Sequence, residues 1–195
     1  TDQVVDLKGW SLQQAAAASA FTAANKVNLN GKIQPKGYYL IQAGSNTNPP
    51  VEGVNGKPLP TPDDKSTGPG NMNFSGTTGG KFALSNQSVT AVSGSKDPTV
   101  IDFVGYGTAN DSLGKAAVLP GTTRTFARIT NSGLDASVKG DGNGWNSNSN
   151  LDDFVAASPF PRNSSYNTGA SNVDLGVKSI AELRMNDQIG VPTKL

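Results

Sequence analysis

Cysteine and histidine are both missing from this sequence of 195 residues. Without cysteine there is no disulfide, no thiolate zinc site and no cysteine nucleophile. Without histidine the usual general base at neutral pH is gone as well. Charge is scarce: 16% of residues are Asp, Glu, Lys or Arg, and 16 basic against 15 acidic residues leave a formal net charge of +1. So small an imbalance gives no field to steer nucleic acid or an anionic membrane. No apolar run approaches the ~20 residues of a membrane-spanning helix, so no insertion is expected. No two carboxylates stand at a catalytic spacing in a motif, and with the other absences this predicts a chain that is not an enzyme.

What is present is glycine (23), proline (12) and an apolar share of 35%. That is too apolar for a disordered chain and rich in turn formers, which fits short strands joined by long polar loops. Abundant Asn, Ser, Thr and Gly, with little Lys or Glu, point to an extracellular or cell-surface protein.

Alternation of apolar and polar residues predicts a strand over Val4–Leu12. Gln13–Ala24 holds four consecutive alanines, Ala15 to Ala18, but lacks an N-cap and an apolar stripe. It reads as strand ends around an irregular loop. Turns at Asn30-Gly31 and Pro35-Lys36-Gly37 separate Val27–Asn30 from Tyr38–Ala43, whose dense β-formers suit a buried central strand. The stretch Gly44–Gly70 carries Pro49, Pro50, Pro58, Pro60, Pro62 and Pro69 and reads as a long loop. Further strands are expected at Lys81–Leu84, at Thr99–Gly107 (the strongest) and at Thr125–Ile129, with Ser88–Val92 between the first two. Gly140–Asp153 is polar and glycine-rich, and Pro159 to Ser165 reads as a tail that wraps rather than pairs. Six to eight short strands with turn signals between them predict an all-β, two-sheet β-sandwich with long polar loops, a barrel being the runner-up. From Val173 the composition shifts. Residues 1–170 are expected to form the sandwich and 171–195 a linker or tail, with a short helix from Ser179 capped by Glu182.

Candidate sites are few. Asp141-Gly142-Asn143-Gly144-Trp145-Asn146 resembles the start of a calcium loop, and Asp152 and Asp153 would add carboxylates if the loop folds back. A twelfth-position Glu is absent, so the ion would be held weakly, and a plain Gly/Asn turn is the competing reading. No other cofactor is implied. Asp102, alone in the strongest strand, reads as a partner for a base such as Arg128 rather than a catalytic acid. Trp10 reads as core. Tyr106, between Gly105 and Gly107, is kept as a candidate binding aromatic and Arg128 as a candidate binding cation. Arg124, Arg128, Arg162 and Lys139 are the residues of a local basic patch, but the near-zero net charge argues against nucleic acid. Gly79-Gly80-Lys81 lacks the glycine spacing of a phosphate loop.

The order of several short motifs is more telling than any one of them. Val5-Asp6-Leu7-Lys8-Gly9-Trp10-Ser11-Leu12 is followed by Ile33-Gln34-Pro35-Lys36-Gly37-Tyr38-Tyr39-Leu40-Ile41 and Leu59-Pro60-Thr61-Pro62-Asp63. Then come Gly80-Lys81-Phe82-Ala83-Leu84-Ser85-Asn86, Ile101-Asp102-Phe103-Val104-Gly105-Tyr106-Gly107, Asn150-Leu151-Asp152-Asp153-Phe154 and Pro159-Phe160-Pro161-Arg162-Asn163-Ser164. Over residues 4–164 this succession resembles the bacterial branch of the lamin-tail domain family. The resemblance implies an immunoglobulin-like sandwich without catalytic residues. It implies an accessory or structural module of a larger secreted or cell-surface protein, whose partners are other domains of the same polypeptide or like subunits. The alternative it implies is the accessory domain of a secreted metal-dependent nuclease or phosphoesterase. Two departures stand out. The family's opening strands have no counterpart here, so Val4–Leu12 is expected to lack a partner strand. Asn146 and Asn148 stand where relatives carry aspartates, which counts against a metal. The vacant strand position would be filled by residues preceding Thr1, by the tail Val173–Leu195 folding back, or by a strand donated from a neighbouring molecule.

Overall fold

The computed structural model describes residues 3–43, 59–65, 72–129 and 146–166. In chain order the elements are β1 (Val5–Asp6), β2 (Trp10–Ala16), β3 (Lys26–Leu29), β4 (Lys32–Ile33), β5 (Ile41–Gln42), β6 (Asp64–Lys65), β7 (Gly79–Ser85), β8 (Val100–Gly107), β9 (Thr125–Arg128), the single-turn helix α1 (Asn150–Asp153) and β10 (Phe154–Ala157). The central layer is an antiparallel sheet in the order β3-β2-β7-β8. Three two-stranded ribbons complete the strands: β1 with β4, β9 with β10, and the parallel pair β5 with β6. The described chain is thus all-β and layered, as the spacing of its strands predicts.

Period-two alternation gives the central sheet two faces. Register places Ser11, Gln13 and Ala15 of β2 beside Ser85, Ala83 and Lys81 of β7, with Phe103 of β8 next in the row. This face packs Ala15, Ala83 and Phe103 against Phe21 and Val92 from the connecting segments. Its polar members are buried and pinned to those segments. Gln13 donates to Val89 O at 3.3 Å and accepts from Val92 N at 3.0 Å, while Ser11 donates to Gln87 O at 2.9 Å. Lys81 is 4% exposed and donates to Ser19 O at 2.7 Å and Asn110 Oδ1 at 2.5 Å. Burial pulls the Lys81 amine below the ordinary lysine range, and the charge of Asp111 opposes it. A buried ammonium satisfied by carbonyls ties both loops to the sheet at small net cost.

The opposite face carries Trp10, Leu12, Val27, Leu29, Phe82, Leu84, Val104 and Tyr106. The β1–β4 ribbon covers one part, with Leu7, Val27, Leu29 and Met72 buried together. The β9–β10 ribbon covers another through Phe126 and Phe154, packed with Tyr106 and Ala117.

Several expectations change. Val4–Leu12 is two strands, because Gly9 takes φ +83° and Trp10 N bonds Leu7 O at 2.9 Å, a bulge that shifts the pairing with the returning segment by one residue. The first half is not unpartnered: Val5 and Asp6 pair with Ile33 and Lys32 of β4. The second half is interior, with β3 on one side and β7 on the other. Tyr38–Ala43 is no buried central strand. Only Ile41–Gln42 pairs, in parallel with Asp64–Lys65 outside the central sheet, and Ile41 is half-buried while Gln42 is exposed. Ser88–Val92 forms no strand, because its carbonyls serve side chains of the sheet instead. Phe154–Ala157, where no strand is expected from the sequence, pairs along its whole length with β9. The wrap itself is present after it: Arg162 donates to Tyr38 Oη at 2.7 Å, Asn163 to Thr61 O at 2.9 Å, and Ser164 N to Asp63 Oδ2 at 2.9 Å. The tail from Val173 and the helix expected at Ser179 lie outside the described residues.

Candidate functional site

The ribbons leave the middle of the apolar face uncovered by any described strand. Leu12 and Leu84 face each other across β2 and β7, and Phe82 and Val104 across β7 and β8, and all four are only half-buried. They form the floor of a cleft in two connected parts. One part, of about 280 Å³, is walled by Leu7, Leu29, Ile33, Tyr39 and Ile41, with Asp102 at its edge. The other, of about 630 Å³, is walled by Phe74, Tyr106 and Phe126 and rimmed by Pro120–Thr122 and Arg124. Both parts share Leu12, Phe82 and Val104, so the groove is continuous and passes over Phe82 and Leu84 of β7. Phe74 is 53% exposed and meets Phe82 edge-on at 4.7 Å. A contiguous apolar strip of this kind between two ribbons is the shape of a missing layer rather than of scattered surface hydrophobics.

One polar atom breaks the apolar lining. Tyr106 is 2% exposed, and its phenol oxygen is buried with no hydrogen-bond partner. The ring lies over Gly80, where a Cβ would stand 3.1 Å from the hydroxyl, so glycine is what lets the tyrosine lie flat across β7. Desolvation raises the Tyr106 pKa. The Ser75 backbone is near enough to pull weakly the other way but forms no hydrogen bond. At the other end, burial and then the charge of Asp64 raise the pKa of Tyr39, whose hydroxyl stands 3.3 Å from Asp64 Oδ2.

Of the residues expected to act as ligands, Asn146 and Asp153 make bonds within the fold. Asp141 and Asn143 lie outside the described residues. Asn146 caps its own turn by accepting from Asn148 N at 2.9 Å. Asp152 is exposed. Asp153 is fully buried: it accepts from Ser147 N at 2.8 Å and Ser147 Oγ at 2.7 Å, and stands 3.5 Å from Arg128 Nη1. Its carboxylate is turned inward, so it is not offered to an ion beside Asp152, and among the described residues no three acidic side chains cluster as a metal site. Arg128 is likewise engaged. Its guanidinium is 12% exposed, pairs with Asp102 Oδ2 at 2.5 Å and stacks 4.5 Å over Phe154. The pairing of Asp102 with Arg128 matches the sequence expectation, whereas a ligand-binding role for Arg128 does not survive its burial. Tyr106 is not an exposed aromatic either but the end wall of the groove. Arg124 is held by Ala156 O at 2.8 Å and Arg162 by Tyr38, so each described arginine of the expected basic patch is engaged within the fold, and Lys139 is not described.

Sequence reasoning missed Asn150. It is fully buried, accepts from Gly105 N at 2.8 Å and Leu113 N at 3.1 Å, and donates to Phe103 O at 3.0 Å. Its carboxamide takes the place of a neighbouring strand along the outer edge of β8, where Ala117 continues the pairing through Gly105 O and Gly107 N at 2.8 Å each. From Phe103 to Gly107 the edge is thereby occupied. Compared with protein-family models, with curated proteins and with solved structures, the chain matches none of them. Among the described residues, no helix is long and apolar enough to cross a membrane.

Proposed function

We propose that this chain is a non-catalytic, immunoglobulin-like interaction module of a larger secreted or cell-surface bacterial protein, and that it works by receiving an extended segment in the groove along β7. The observation that carries the reading is the continuous apolar floor of Leu12, Phe82, Leu84 and Val104 with the unsatisfied Tyr106 hydroxyl at one end. A small apolar ligand would fill the floor and leave the phenol orphaned. A β-strand supplies both apolar side chains at alternate positions and backbone groups that bond the phenol. Asn150 and Ala117 occupy the outer edge of β8 from Phe103 to Gly107, which leaves the apolar face as the larger surface for an added strand on this side of the sheet. Extracellular placement rests on the low charge and the Asn, Ser, Thr and Gly content. The lamin-tail resemblance agrees with a module of this kind. No specific observation favours the accessory-nuclease alternative.

The absence of cysteine makes the test clean. Val104→Cys puts one thiol on the groove floor, and its reaction with a thiol-reactive dye is followed with and without a ten-residue peptide of alternating valine and lysine. Protection by the peptide, or a thiol already shielded in the folded chain alone, is the expected result. A freely reactive thiol that no such peptide protects would refute the reading.

A further inference from the structure

We infer that the groove is the seat of this chain's own segment Val173–Lys178. The inference rests on reading the groove as a strand-receiving site and names the strand. Val173, Leu175 and Val177 stand at two-residue spacing, with Asp174, Gly176 and Lys178 between them. In extended form the three apolar side chains share one face and the polar residues the other, and the span from 173 to 177 is about 13 Å. The groove floor repeats at the same interval: Leu84 and Phe82 stand one two-residue step apart along β7, and Gly80, beside Tyr106, is the next residue on that face. A strand lying over β7 therefore places its three apolar residues on Leu84, on Phe82 and on the step at Gly80 beside Tyr106. Its backbone then passes the Tyr106 hydroxyl, the one buried side-chain polar atom among the described residues that has no partner.

The tether fits. The described chain reaches Tyr166, whose ring meets Tyr38 edge-on at 5.6 Å, while Ser164 and Asn163 anchor that stretch to Asp63 and Thr61. Tyr39, next in sequence to Tyr38, and Ile41 form the groove wall at this end. From Tyr166 to Val173 is seven residue steps, an extended reach of up to about 25 Å. A segment held so close is present at roughly millimolar effective concentration, which favours the tail of the same molecule over that of a second copy.

The experiment uses the full chain in four variants: Val104→Cys alone, and combined with Leu175→Cys, with Asp174→Cys or with Leu175→Asp. Circular dichroism checks that each is folded. A short thiol-to-thiol cross-linker is expected to join residues 104 and 175 within a monomer and to fail with 174, which faces the other way. Leu175→Asp is expected to speed dye labelling of the position-104 thiol on the order of tenfold, as a charge is forced onto the apolar floor. Cross-linked dimers would overturn the inference in favour of a second copy. A shielded position-104 thiol that neither cross-links to 175 nor responds to Leu175→Asp would assign the groove to a different segment. A reactive thiol protected by the added peptide would overturn the tail while leaving the strand-receiving function standing. A reactive thiol without protection would remove both.

Discussion

Arg128→Met separates a structural arginine from a binding one. The guanidinium is 12% exposed and bridges Asp102 and the fully buried Asp153. Methionine keeps an apolar stem over Phe154 and removes only the charge and its donors. Removing one partner of a buried ion pair costs about 3–5 kcal/mol, because the other charge is stranded. Two features lower that figure here. The Asp102 side chain is 36% exposed, so water takes over much of its solvation, and Asp153 keeps both of its bonds from Ser147. The expected loss is therefore about 2–4 kcal/mol, nearly all of it from Asp153. Urea unfolding at pH 7, followed by tryptophan fluorescence and extrapolated to water, measures it. Adding Asp153→Asn to Arg128→Met neutralises the stranded carboxylate and is expected to recover roughly 1 kcal/mol or more. A loss below about 1 kcal/mol, or a double variant no better than the single one, would show that Asp153 does not depend on Arg128 and would refute the reasoning.

Three further predictions concern the parts that hold the groove floor in place. Asn150→Ala leaves Gly105 N, Leu113 N and Phe103 O without partners and is expected to cost about 3–5 kcal/mol; a cost near 1 kcal/mol would mean water replaces the carboxamide. Gly105→Ala drives a methyl group into the Asp111 carbonyl oxygen, a backbone atom with no room to yield, so a loss of about 2–3 kcal/mol is expected in the same assay, and an unchanged midpoint would contradict it. Asp97, which launches β8, is pulled down to about 2 by bonds from Ser93 N and Thr99 N. A depressed folded pKa gives stability that is complete above about 4 and is lost as pH falls towards 2. Asp97→Ala is therefore expected to cost roughly 1–2 kcal/mol at pH 7 and to match the parent chain near pH 2, whereas a pH-independent difference would exclude the carboxylate as its source.

How much of this was readable in advance depended on how local each cause is. Alternation and turn residues placed β7, β8 and β9 within a residue or two, because burial of one sheet face dictates period two wherever the strand sits. The pairing of Asp102 with Arg128 was also anticipated, since a lone carboxylate in an apolar strand needs a counter-charge. The Pro35-Lys36-Gly37 turn was legible too: Gly37 N bonds Gln34 O at 2.8 Å and Lys36 takes φ +55°. Tyr38–Ala43 has the composition of a central strand yet stands outside the central sheet, with only Ile41–Gln42 paired, because composition reports β-propensity and not position in the sheet.

By itself, the sequence determined the all-β class, the absence of the commonest catalytic groups, and the strands whose two faces differ in polarity. These follow from residue chemistry and from spacing within a few positions along the chain. Only the tertiary structure decided that Asp153 turns inward to Arg128, that Asn150 occupies the edge of β8, and that Tyr106 ends a groove instead of facing solvent. Each depends on residues 24 to 47 positions apart being brought within hydrogen-bonding or packing distance. No short-range pattern encodes such an approach, because the physical cause is the layering of β9–β10 and of the β1–β4 ribbon over one face of the central sheet, and that layering is also what leaves the groove between them.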